Sequence, residues 1–255
     1  MKVIISLIIS LCAVTIPAMA TDLDIWFGNS DGSPLIFRID NDEKVPVWVQ
    51  TNSDVYIAAV HIPLSSSDKL ITARGDIVKY APFENENVPK SFDKGWDVAS
   101  TMGPAPHEGK AGFTSQSLLG FCDLARNPNI PLHTTKTHKI LEFTVHTTSD
   151  KSYLGKTLDV FIEGFNGPSE GIHFSDTTGS LTYTHEAHFS KVYFLYPGDI
   201  NDDGKLDNSD IELLTKHIND NAEIAWPEQR ADCNNDQHVD KKDIEALRKM
   251  VTQKK

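Results

Sequence analysis

The chain has 255 residues, with 36 acidic side chains against 24 basic ones and a formal net charge of −12. This acidity excludes a nucleic-acid binder, because neutralising phosphates requires a concentrated basic surface. Hydrophobic residues make up 39% and charged residues 24% of the chain, which are the proportions of a folded globular protein rather than of a disordered one.

The first 20 residues have the pattern of a secretory signal peptide. Lys2 precedes an apolar run over residues 3–16, and Ala-Met-Ala at 18–20 supplies the small residues of a cleavage site. Serines interrupt the run, which is shorter than the roughly 20 residues that a membrane-spanning helix needs. The sequence therefore predicts a secreted protein, extracellular or periplasmic, with no membrane span and with a mature chain that begins near Thr21.

Residues 21–196 alternate short apolar segments with turn-forming segments. The apolar segments have the length of strands and are rich in Val, Ile, Phe, Tyr, Trp and Thr. They read LDIWFG, PLIFRID, VPVWVQT, DVYIAAVHIPL, KILEFTVHT, TLDVFIEGF and HFSKVYFLY. Because no stretch keeps a helical apolar stripe over three turns, the pattern predicts a mainly β domain, either two packed antiparallel sheets or a barrel.

An internal repeat follows the Pro-Gly at residues 197–198. Residues 199–216 and 232–249 are identical at nine of 18 positions, where a chance alignment would give about one. The shared residues are mostly Asp and Asn at fixed offsets, followed by Ile-Glu, Leu and Lys. This repeat of period 33 marks a second structural unit, which we place at residues 197–255.

The first unit places oxygen-bearing side chains where a calcium loop needs them. Calcium binds about six to eight oxygen atoms, and a 12-residue loop supplies them from positions 1, 3, 5, 9 and 12 and from the backbone carbonyl of position 7. Gly204, at position 6, allows the sharp turn. The ligands predicted for the first ion are Asp199, Asn201, Asp203, the carbonyl of Lys205, Asp207 and Asp210.

The second unit repeats the donor pattern with one departure. Gln237 replaces the glycine of position 6, and a side chain there costs on the order of 1 kcal/mol of backbone strain. The alternative, a solvated acidic surface, would not place oxygen atoms at the same offsets twice. We therefore expect two calcium ions, the second bound more weakly. Its predicted ligands are Asp232, Asn234, Asp236, the carbonyl of His238, Asp240 and Asp243.

Each loop is predicted to run into a helix with one apolar face. The pair GDINDDGKLDNSDIELL and ADCNNDQHVDKKDIEAL resembles a type I dockerin over residues 197–252. The resemblance implies a small α-helical, calcium-dependent module with two loop-helix units. It also implies a partner, the cohesin domain of a cellulosome-type scaffold protein, to which the dockerin attaches its chain.

The resemblance also implies which side chains contact the cohesin. In dockerins, loop positions 10 and 11 and a basic residue further along the helix help to select the partner. Carried over by position, these are Asn208, Ser209 and Lys216 in the first unit and Lys241, Lys242 and Lys249 in the second. Solvated helix starts are the alternative interpretation of the same residues. Because the two sets differ, the units are not expected to dock interchangeably.

The segments VPVWVQTNSDVYIAAVHIPL, HKILEFTVHT, TLDVFIEGF and HFSKVYFL resemble, in order and style, cohesins and related carbohydrate-binding sandwiches. This implies a jelly-roll or cohesin-like sandwich over residues 21–196 that binds protein or polysaccharide. Such a domain could also receive the dockerin of a second copy, giving head-to-tail chains. The chain is therefore predicted to be a secreted, non-catalytic assembly protein that takes part in extracellular polysaccharide binding or degradation.

The alternative is an O-glycosyl hydrolase, because dockerins are often attached to such enzymes. Glycosidases need two carboxylates about 5–9.5 Å apart. Glu142, Asp159 and Glu163 lie on predicted strands, but nothing in the sequence pairs them, and no other catalytic motif is present. The sequence therefore assigns no catalytic residue.

Three tryptophans, two histidines and two cysteines have open roles. Trp26, Trp48 and Trp96 could stack on sugar rings, although tryptophan on a sandwich strand is usually part of the core. His185 and His188 could hold a metal ion, although two histidines in a turn more often face solvent. Once the signal peptide is removed, Cys122 and Cys233 remain, and spacing does not decide between free thiols and a disulfide.

Overall fold

A computed structural model of the chain describes the regions that carry the sheets and the repeat. The predicted signal peptide, residues 1–20, lies outside the described residues, as do Trp96 and Cys122. The described residues are 21–52, 59–79, 98–106, 110–121, 137–164, 172–175 and 183–253.

Strands occupy the described part of the chain up to residue 194, and helices follow. The strands are β1 Leu23–Phe27, β2 Leu35–Phe37, β3 Asp42–Thr51, β4 Ala59–Ser67, β5 Ile71–Lys79, β6 Val98–Pro106, β7 Phe113–Phe121, β8 His138–Thr147, β9 Thr157–Leu158, β10 Phe161–Glu163, β11 His173–Ser175, β12 His185–Phe189 and β13 Val192–Phe194. The helices are α1 Asn208–Asp220 and α2 Lys241–Gln253, and short 3-10 turns lie at Lys151–Tyr153 and Glu228–Ala231. A mainly β region followed by two helices confirms the predicted fold class.

The described strands of the β region form two larger sheets and one small sheet. The first has the order β12-β1-β3-β8-β5, and the second has the order β10-β4-β7-β6 with β11 also paired to β4. The third, β2-β13-β9, has three strands. Most pairs are antiparallel, as predicted, but β1 pairs with β12 and β2 pairs with β13 in parallel. Parallel neighbours need a long connection, and here the intervening strands of the β region provide it.

The buried core of the β region follows the alternation of its strands. On β3, Val45, Val47 and Val49 are buried, and the residues between them are partly exposed. This period of two is that of a sheet with one face against a core. Phe143 on β8 and Phe161 on β10 meet edge to face at 6.2 Å, so side chains of the first and second sheets pack against each other.

The two helices have a separate apolar core. Ile200, Leu214, Ala231, Ile244 and Leu247 are buried together, and partly buried apolar side chains surround them. On α1 Leu214 lies between the partly buried Ile211 and Ile218, and on α2 Ile244 and Leu247 precede the partly buried Val251, so each helix presents one apolar face to this core. No helix among the described residues is long and apolar enough to span a membrane.

Arg230 joins the β region to the helical unit. Its side chain is fully buried, although arginine is seldom buried without partners. The guanidinium donates to Tyr193 Oη on β13 (2.9 Å), to the carboxylate of Asp202 (3.0 Å), and to the carbonyl oxygens of Trp226 (2.6 Å) and Asp199. One arginine thus ties a strand of the β region to the first repeat loop.

Arg38 makes a second connection, to the second repeat loop. It follows β2, and its Nη2 lies 3.3 Å from Asp232 Oδ2 and 3.5 Å from the carbonyl oxygen of the same residue. Both side chains are mostly buried, with 22% and 10% of their surfaces exposed. The first residue of each repeat loop, Asp199 or Asp232, therefore contacts one arginine.

Candidate metal-binding and docking site

The first loop, residues 199–210, is curled by hydrogen bonds from its own backbone to its acidic side chains. Asp199 accepts from the N–H groups of Asp203 (3.1 Å) and Gly204 (3.1 Å). Asn201 Oδ1 accepts from Asp203 N–H (3.1 Å), and Asp203 Oδ1 accepts from Lys205 N–H (2.9 Å). These bonds turn the chain around the side-chain oxygens of positions 1, 3 and 5.

The last position of the first loop closes the ring and starts α1. Asp210 Oδ1 accepts from the N–H groups of Ile200 (2.8 Å) and Asn201 (3.3 Å), which lie at the opposite end of the loop. Its Oδ2 accepts from Asp207 N–H (3.0 Å), and Asp207 accepts from Ser209 N–H (2.8 Å). Asp207 and Asp210 together form a reciprocal capping box, which explains why the helix begins at residue 208.

The second loop, residues 232–243, repeats this hydrogen-bond frame residue by residue. Asp232 corresponds to Asp199, Asp240 to Asp207 and Asp243 to Asp210. The equivalent bonds measure 2.7–3.2 Å and run from Asp236 and Gln237 to Asp232, from Asp236 to Asn234, from His238 to Asp236, from Cys233 and Asn234 to Asp243, from Asp240 to Asp243 and from Lys242 to Asp240.

Both loops contain residues in the left-handed backbone region. Position 6 has φ of 78° at Gly204 and 68° at Gln237, so the glutamine adopts the conformation that the sequence assigned to glycine. Position 4 is also left-handed, with φ of 62° at Asp202 and at Asn235. The sequence interpretation missed position 4, although Asp and Asn are the non-glycine residues that tolerate this region best.

Four carboxylates at the ends of the loops are buried. Asp199, Asp210, Asp232 and Asp243 expose between 0% and 7% of their surface. Burial raises the pKa of Asp199, while hydrogen bonds from Gly204 and the charge of Arg230 act in the opposite direction. Buried carboxylates are costly unless hydrogen bonds and positive charge compensate them.

These residues fit a hard divalent cation. The predicted donors are carboxylate, amide and carbonyl oxygens without nitrogen or sulfur, which is the donor set that calcium prefers. The loop ends supply buried acidic groups, whereas Asn201, Asp203, Asn234 and Asp236 are exposed. The individual ligand assignments and the occupancy of each loop stay predictions.

Residues 197–252 match the family model of the dockerin type I domain. These residues form a dockerin type I domain. The match confirms the resemblance carried by the repeat, and dockerins of this type bind calcium and act as non-catalytic docking modules. No curated protein has a significant sequence match to the chain.

Solved cohesin–dockerin complexes are similar in structure to part of the chain. They include a cohesin of scaffoldin B from Acetivibrio cellulolyticus with a Cel5 dockerin mutant, at 12% identity over 68% of this chain and 98% of that chain with a TM-score of 0.42. A ScaB cohesin from R. flavefaciens with a group 1 dockerin has 15% identity over 71% and 100%, with a TM-score of 0.41. The Coh-OlpA–Doc918 complex from Clostridium thermocellum has 13% identity over 69% and 100%, with a TM-score of 0.43.

The predicted cohesin contacts lie on the surface of the dockerin. All six side chains are exposed: Asn208, Ser209, Lys216, Lys241, Lys242 and Lys249. The two helix starts differ in their interactions. Ser209 Oγ donates to Asp207 Oδ1 (2.6 Å), whereas Lys242 Nζ lies 3.6 Å from both Asp236 and Asp240 carboxylates. The contact role of these residues stays a prediction.

A shallow groove separates the start of α1 from the end of α2. Its lining is Asn208, Ile211, Glu212, Arg248, Val251 and Thr252. Of the predicted cohesin contacts, Asn208 is part of this lining. The groove brings the N-terminal end of one helix beside the C-terminal end of the other, as expected for antiparallel helices.

The three acidic candidates for glycoside hydrolysis occupy different places. Glu142 is 9% exposed and pairs with Lys44 (3.2 Å) and Lys139 (3.3 Å) on the first sheet. Asp159 follows β9 and lies 3.7 Å from Lys191. Glu163 lies on β10 of the second sheet and pairs with a histidine. The three carboxylates thus belong to different elements and have different charged partners, and the hydrolase alternative stays a prediction.

Two of the tryptophans lie outside the buried core. Trp26 on β1 and Trp48 on β3 are opposite each other in register, on the outward side of the first sheet, and both are partly buried. His188 stacks on Trp26 with ring centres 5.0 Å apart, and Lys139 lies 5.8 Å from the Trp48 ring. The expectation that they are core residues is wrong, because strand alternation directs them outward. Side chains of the same sheet contact both rings.

The two histidines of the H-x-x-H pattern lie in strand β12 rather than in a turn. A separation of three residues places them on opposite faces of a strand. His185 lies 3.5 Å from Glu163 on the inner side, whereas His188 lies 3.1 Å from Asp24 on the outer side. Hydrogen bonding to His185 lowers the pKa of Glu163. The pair therefore does not form one metal site.

Cys233 has a free thiol next to the first ligand position of the second loop. Burial raises the pKa of this thiol to about 12, and the nearby carboxylates of Asp243 and Asp232 act in the same direction. A thiol with such a pKa stays protonated at neutral pH and is a poor nucleophile. Cys122, the other cysteine of a possible disulfide with Cys233, lies outside the described residues.

Proposed function

We propose that this chain is a secreted, non-catalytic assembly protein whose calcium-loaded dockerin docks to a cohesin on an extracellular scaffold. The β region would be the component that the dockerin brings to complexes that bind or degrade polysaccharide. The observation that supports the proposal most strongly is the duplicated loop, in which two separate 12-residue segments have the same buried carboxylates and the same hydrogen-bond frame.

Each loop would hold one calcium ion. The ligands proposed for the first ion are those of positions 1, 3, 5, 7, 9 and 12, from Asp199 to Asp210. Those proposed for the second run from Asp232 to Asp243 at the same positions. Asp210 and Asp243 accept hydrogen bonds from the N–H groups of Ile200 and Cys233, so the last ligand position of each loop is held beside the first.

The loops would link metal binding to docking through electrostatics. The first loop carries five carboxylates and one lysine, so like charges repel one another within it. A bound calcium ion supplies the positive charge that offsets this repulsion, and because it binds the folded loop it stabilises the folded state. Asp207 and Asp240 begin the two helices, so an ordered loop also fixes the helix start that carries the predicted cohesin contacts.

The predicted contacts would make the two ends of the dockerin chemically different. The first helix starts with the neutral pair Asn208 and Ser209, and the second starts with Lys241 and Lys242. A cohesin surface that complements one pair would not complement the other equally well. We therefore favour docking in one orientation.

Calcium-dependent binding of the full-length chain to a purified type I cohesin tests the proposal. We expect two calcium ions per chain by isothermal titration calorimetry, and cohesin binding in biolayer interferometry that chelator abolishes. Asp210→Ala combined with Asp243→Ala should remove both calcium binding and docking, while Asp220→Ala, at the exposed end of α1, should leave both unchanged. Docking that persists in chelator would contradict the calcium-dependent mechanism.

A panel of type I cohesins distinguishes a dockerin that binds no cohesin from one that was tested with an unsuitable cohesin. Calcium binding with no docking to any of them would leave the dockerin's metal sites intact and refute the cohesin partner. Polysaccharide hydrolysis by the purified chain would refute the non-catalytic assignment.

A further inference from the structure

A mixed cluster of acidic and imidazole side chains lies on the outward side of the first sheet, in the β region and outside the dockerin. It is formed where β1 and β12 run parallel, with Asp24 opposite Glu186 and Trp26 opposite His188. The alternate residues of β1, Leu23, Ile25 and Phe27, are buried, and Ala187 and Phe189 of β12 pack against the same core. Strand alternation therefore directs Asp24, Trp26, Glu186 and His188 to one outer surface.

Three side chains of this cluster converge on one point. One ligand atom from each of Asp24, Glu186 and His188 lies within 4.8 Å of the other two. His188 Nε2 is 3.1 Å from Asp24 Oδ1. Ligands at about 2.0–2.2 Å from a tetrahedral zinc ion are roughly 3.3–3.6 Å apart, so the histidine and aspartate are already near that spacing. Glu186 is exposed and free to adjust its rotamer.

Neighbouring side chains hold two of the three groups in place. Asn52 Nδ2 donates to Asp24 Oδ2 (2.9 Å), which leaves Asp24 Oδ1 directed at His188. The Trp26 ring stacks on the His188 imidazole at 5.0 Å with an interplanar angle of 19°. Partners of this kind orient metal ligands and contribute to metal affinity.

The second carboxylate distinguishes this cluster from a simple ion pair. Asp24 and Glu186 are directly opposite on adjacent strands, where like charges destabilise a sheet. An imidazole ring can offset the negative charge of at most one carboxylate. A divalent cation among the three groups would offset both.

We propose that Asp24, Glu186 and His188 form a binding site for a divalent transition metal, represented by zinc. The donor set of one imidazole nitrogen and two carboxylate oxygens suits zinc and differs from the all-oxygen set of the dockerin loops. Three protein ligands leave a fourth coordination position, and because the cluster lies on an outer surface, this position is open to water or to a ligand group from outside the chain.

Zinc titration of the calcium-saturated full-length chain tests this site. Calcium occupies the dockerin loops, so calorimetry reports sites elsewhere. We expect one zinc ion per chain at this site and at least tenfold weaker binding in His188→Gln. His185→Gln is the matched control, because His185 lies on the same strand and pairs with one carboxylate on the opposite side. It should bind zinc like the unaltered chain.

Two further measurements distinguish metal coordination from an ion pair. Glu186→Gln should weaken zinc binding by a similar factor, although Glu186 is not part of the hydrogen bond between Asp24 and His188. Cobalt added in place of zinc should give the visible absorption of a low-coordinate site, and His188→Gln should abolish it. Absence of zinc binding, or equal weakening by His185→Gln and His188→Gln in folded proteins, would overturn the proposal.

Discussion

The two repeat loops share a hydrogen-bond frame but differ in how the rest of the molecule supports them. The first loop has glycine at position 6, and the fully buried Arg230 contacts it through Asp199 and Asp202. The second has Gln237 at position 6, and the partly exposed Arg38 contacts its first ligand, Asp232. A duplicated sequence thus gives two sites with the same donors and different environments.

The two arginines contact different kinds of groups, and this accounts for the different environments of the two loops. Arg230 contacts the carbonyl of Asp199 and a side chain outside the predicted ligand set, so it stabilises the first loop without competing for a ligand oxygen. Arg38 contacts the carboxylate of Asp232, a predicted ligand. The first arginine should therefore act mainly on folding, and the second should act mainly on metal affinity.

Replacing Arg230 should have the largest effect. Arg230→Met leaves several buried acceptors without a donor, and we expect a loss of about 3 kcal/mol in the free energy of unfolding. Urea unfolding of the calcium-saturated chain measures this loss. Arg248→Met, at an exposed position of α2, is the control and should change stability little. Equal losses in the two variants would show that Arg230 does not join the two parts of the molecule as described.

Replacing Tyr193 should have the next largest effect. Tyr193→Phe removes the β-region acceptor of Arg230 and should cost about 1.5 kcal/mol, because the lost hydrogen bond involves a charged donor. Urea unfolding again provides the measurement, with Tyr153→Phe as the control in the same region.

The Tyr193 effect should depend on pH in a defined direction. Burial raises the pKa of Tyr193, although the charge of Arg230 lowers it in part. A neutral tyrosine is therefore favoured in the folded state, and its contribution is fully present below the unfolded pKa of about 10. The stability difference between the unaltered chain and Tyr193→Phe should shrink as the pH rises above that value. A difference that grows there would contradict this interpretation.

Exchanging the residues at position 6 should reverse the order of the two calcium affinities. Gln237→Gly should strengthen binding to the second loop by about 1 kcal/mol, roughly fivefold, and Gly204→Gln should weaken the first by a similar amount. No heavy atom outside the two adjacent residues lies within 4 Å of a Cβ placed at Gly204, where φ is 78°, so the cost is conformational rather than steric.

Calorimetry can assign each change to one loop. Asp243→Ala removes the second site and isolates the first, and Asp210→Ala does the reverse. If both exchanges leave the affinities within error of the unaltered loops, backbone strain does not distinguish the two sites.

Replacing Arg38 should have the smallest effect on stability. Arg38→Gln should cost less than about 1 kcal/mol without calcium, since it removes a single 3.3 Å ion-pair contact and the glutamine amide remains a hydrogen-bond donor. It should raise the calcium affinity of the second loop several-fold, because the guanidinium no longer competes for Asp232. Calcium titration in the Asp210→Ala background measures this, with Lys44→Gln as the control. A lower affinity would show that Arg38 orients Asp232 instead of competing for it.

The sequence interpretation was most successful where function depends on residue type at fixed spacing. The repeat, its acidic offsets and the dockerin family follow from local order alone, because a calcium loop is built from one contiguous segment. The capping role of Asp207 has the same local origin, since the cap and the helix it starts are adjacent in the chain.

Sequence reasoning failed where distant residues meet. It favoured the core for Trp26 and Trp48, although period-two alternation with Ile25 and Phe27 on β1 and with Val47 and Val49 on β3 could have placed them outward. It treated His185 and His188 as a turn pair. It gave no role to Arg38 or Arg230, because nothing near them in the chain indicates that each lies against a loop carboxylate or carbonyl.

The amino-acid sequence by itself determined the mainly β region, the two helices and the identity of the dockerin, because alternation, helical spacing and loop offsets are properties of short segments. Only the tertiary structure decided which strands pair in parallel, that Asp24 and His188 meet across 164 residues, and that one arginine supports each loop. These features require chain segments far apart in sequence to pack together, and long-range packing is set by the whole chain rather than by any local pattern.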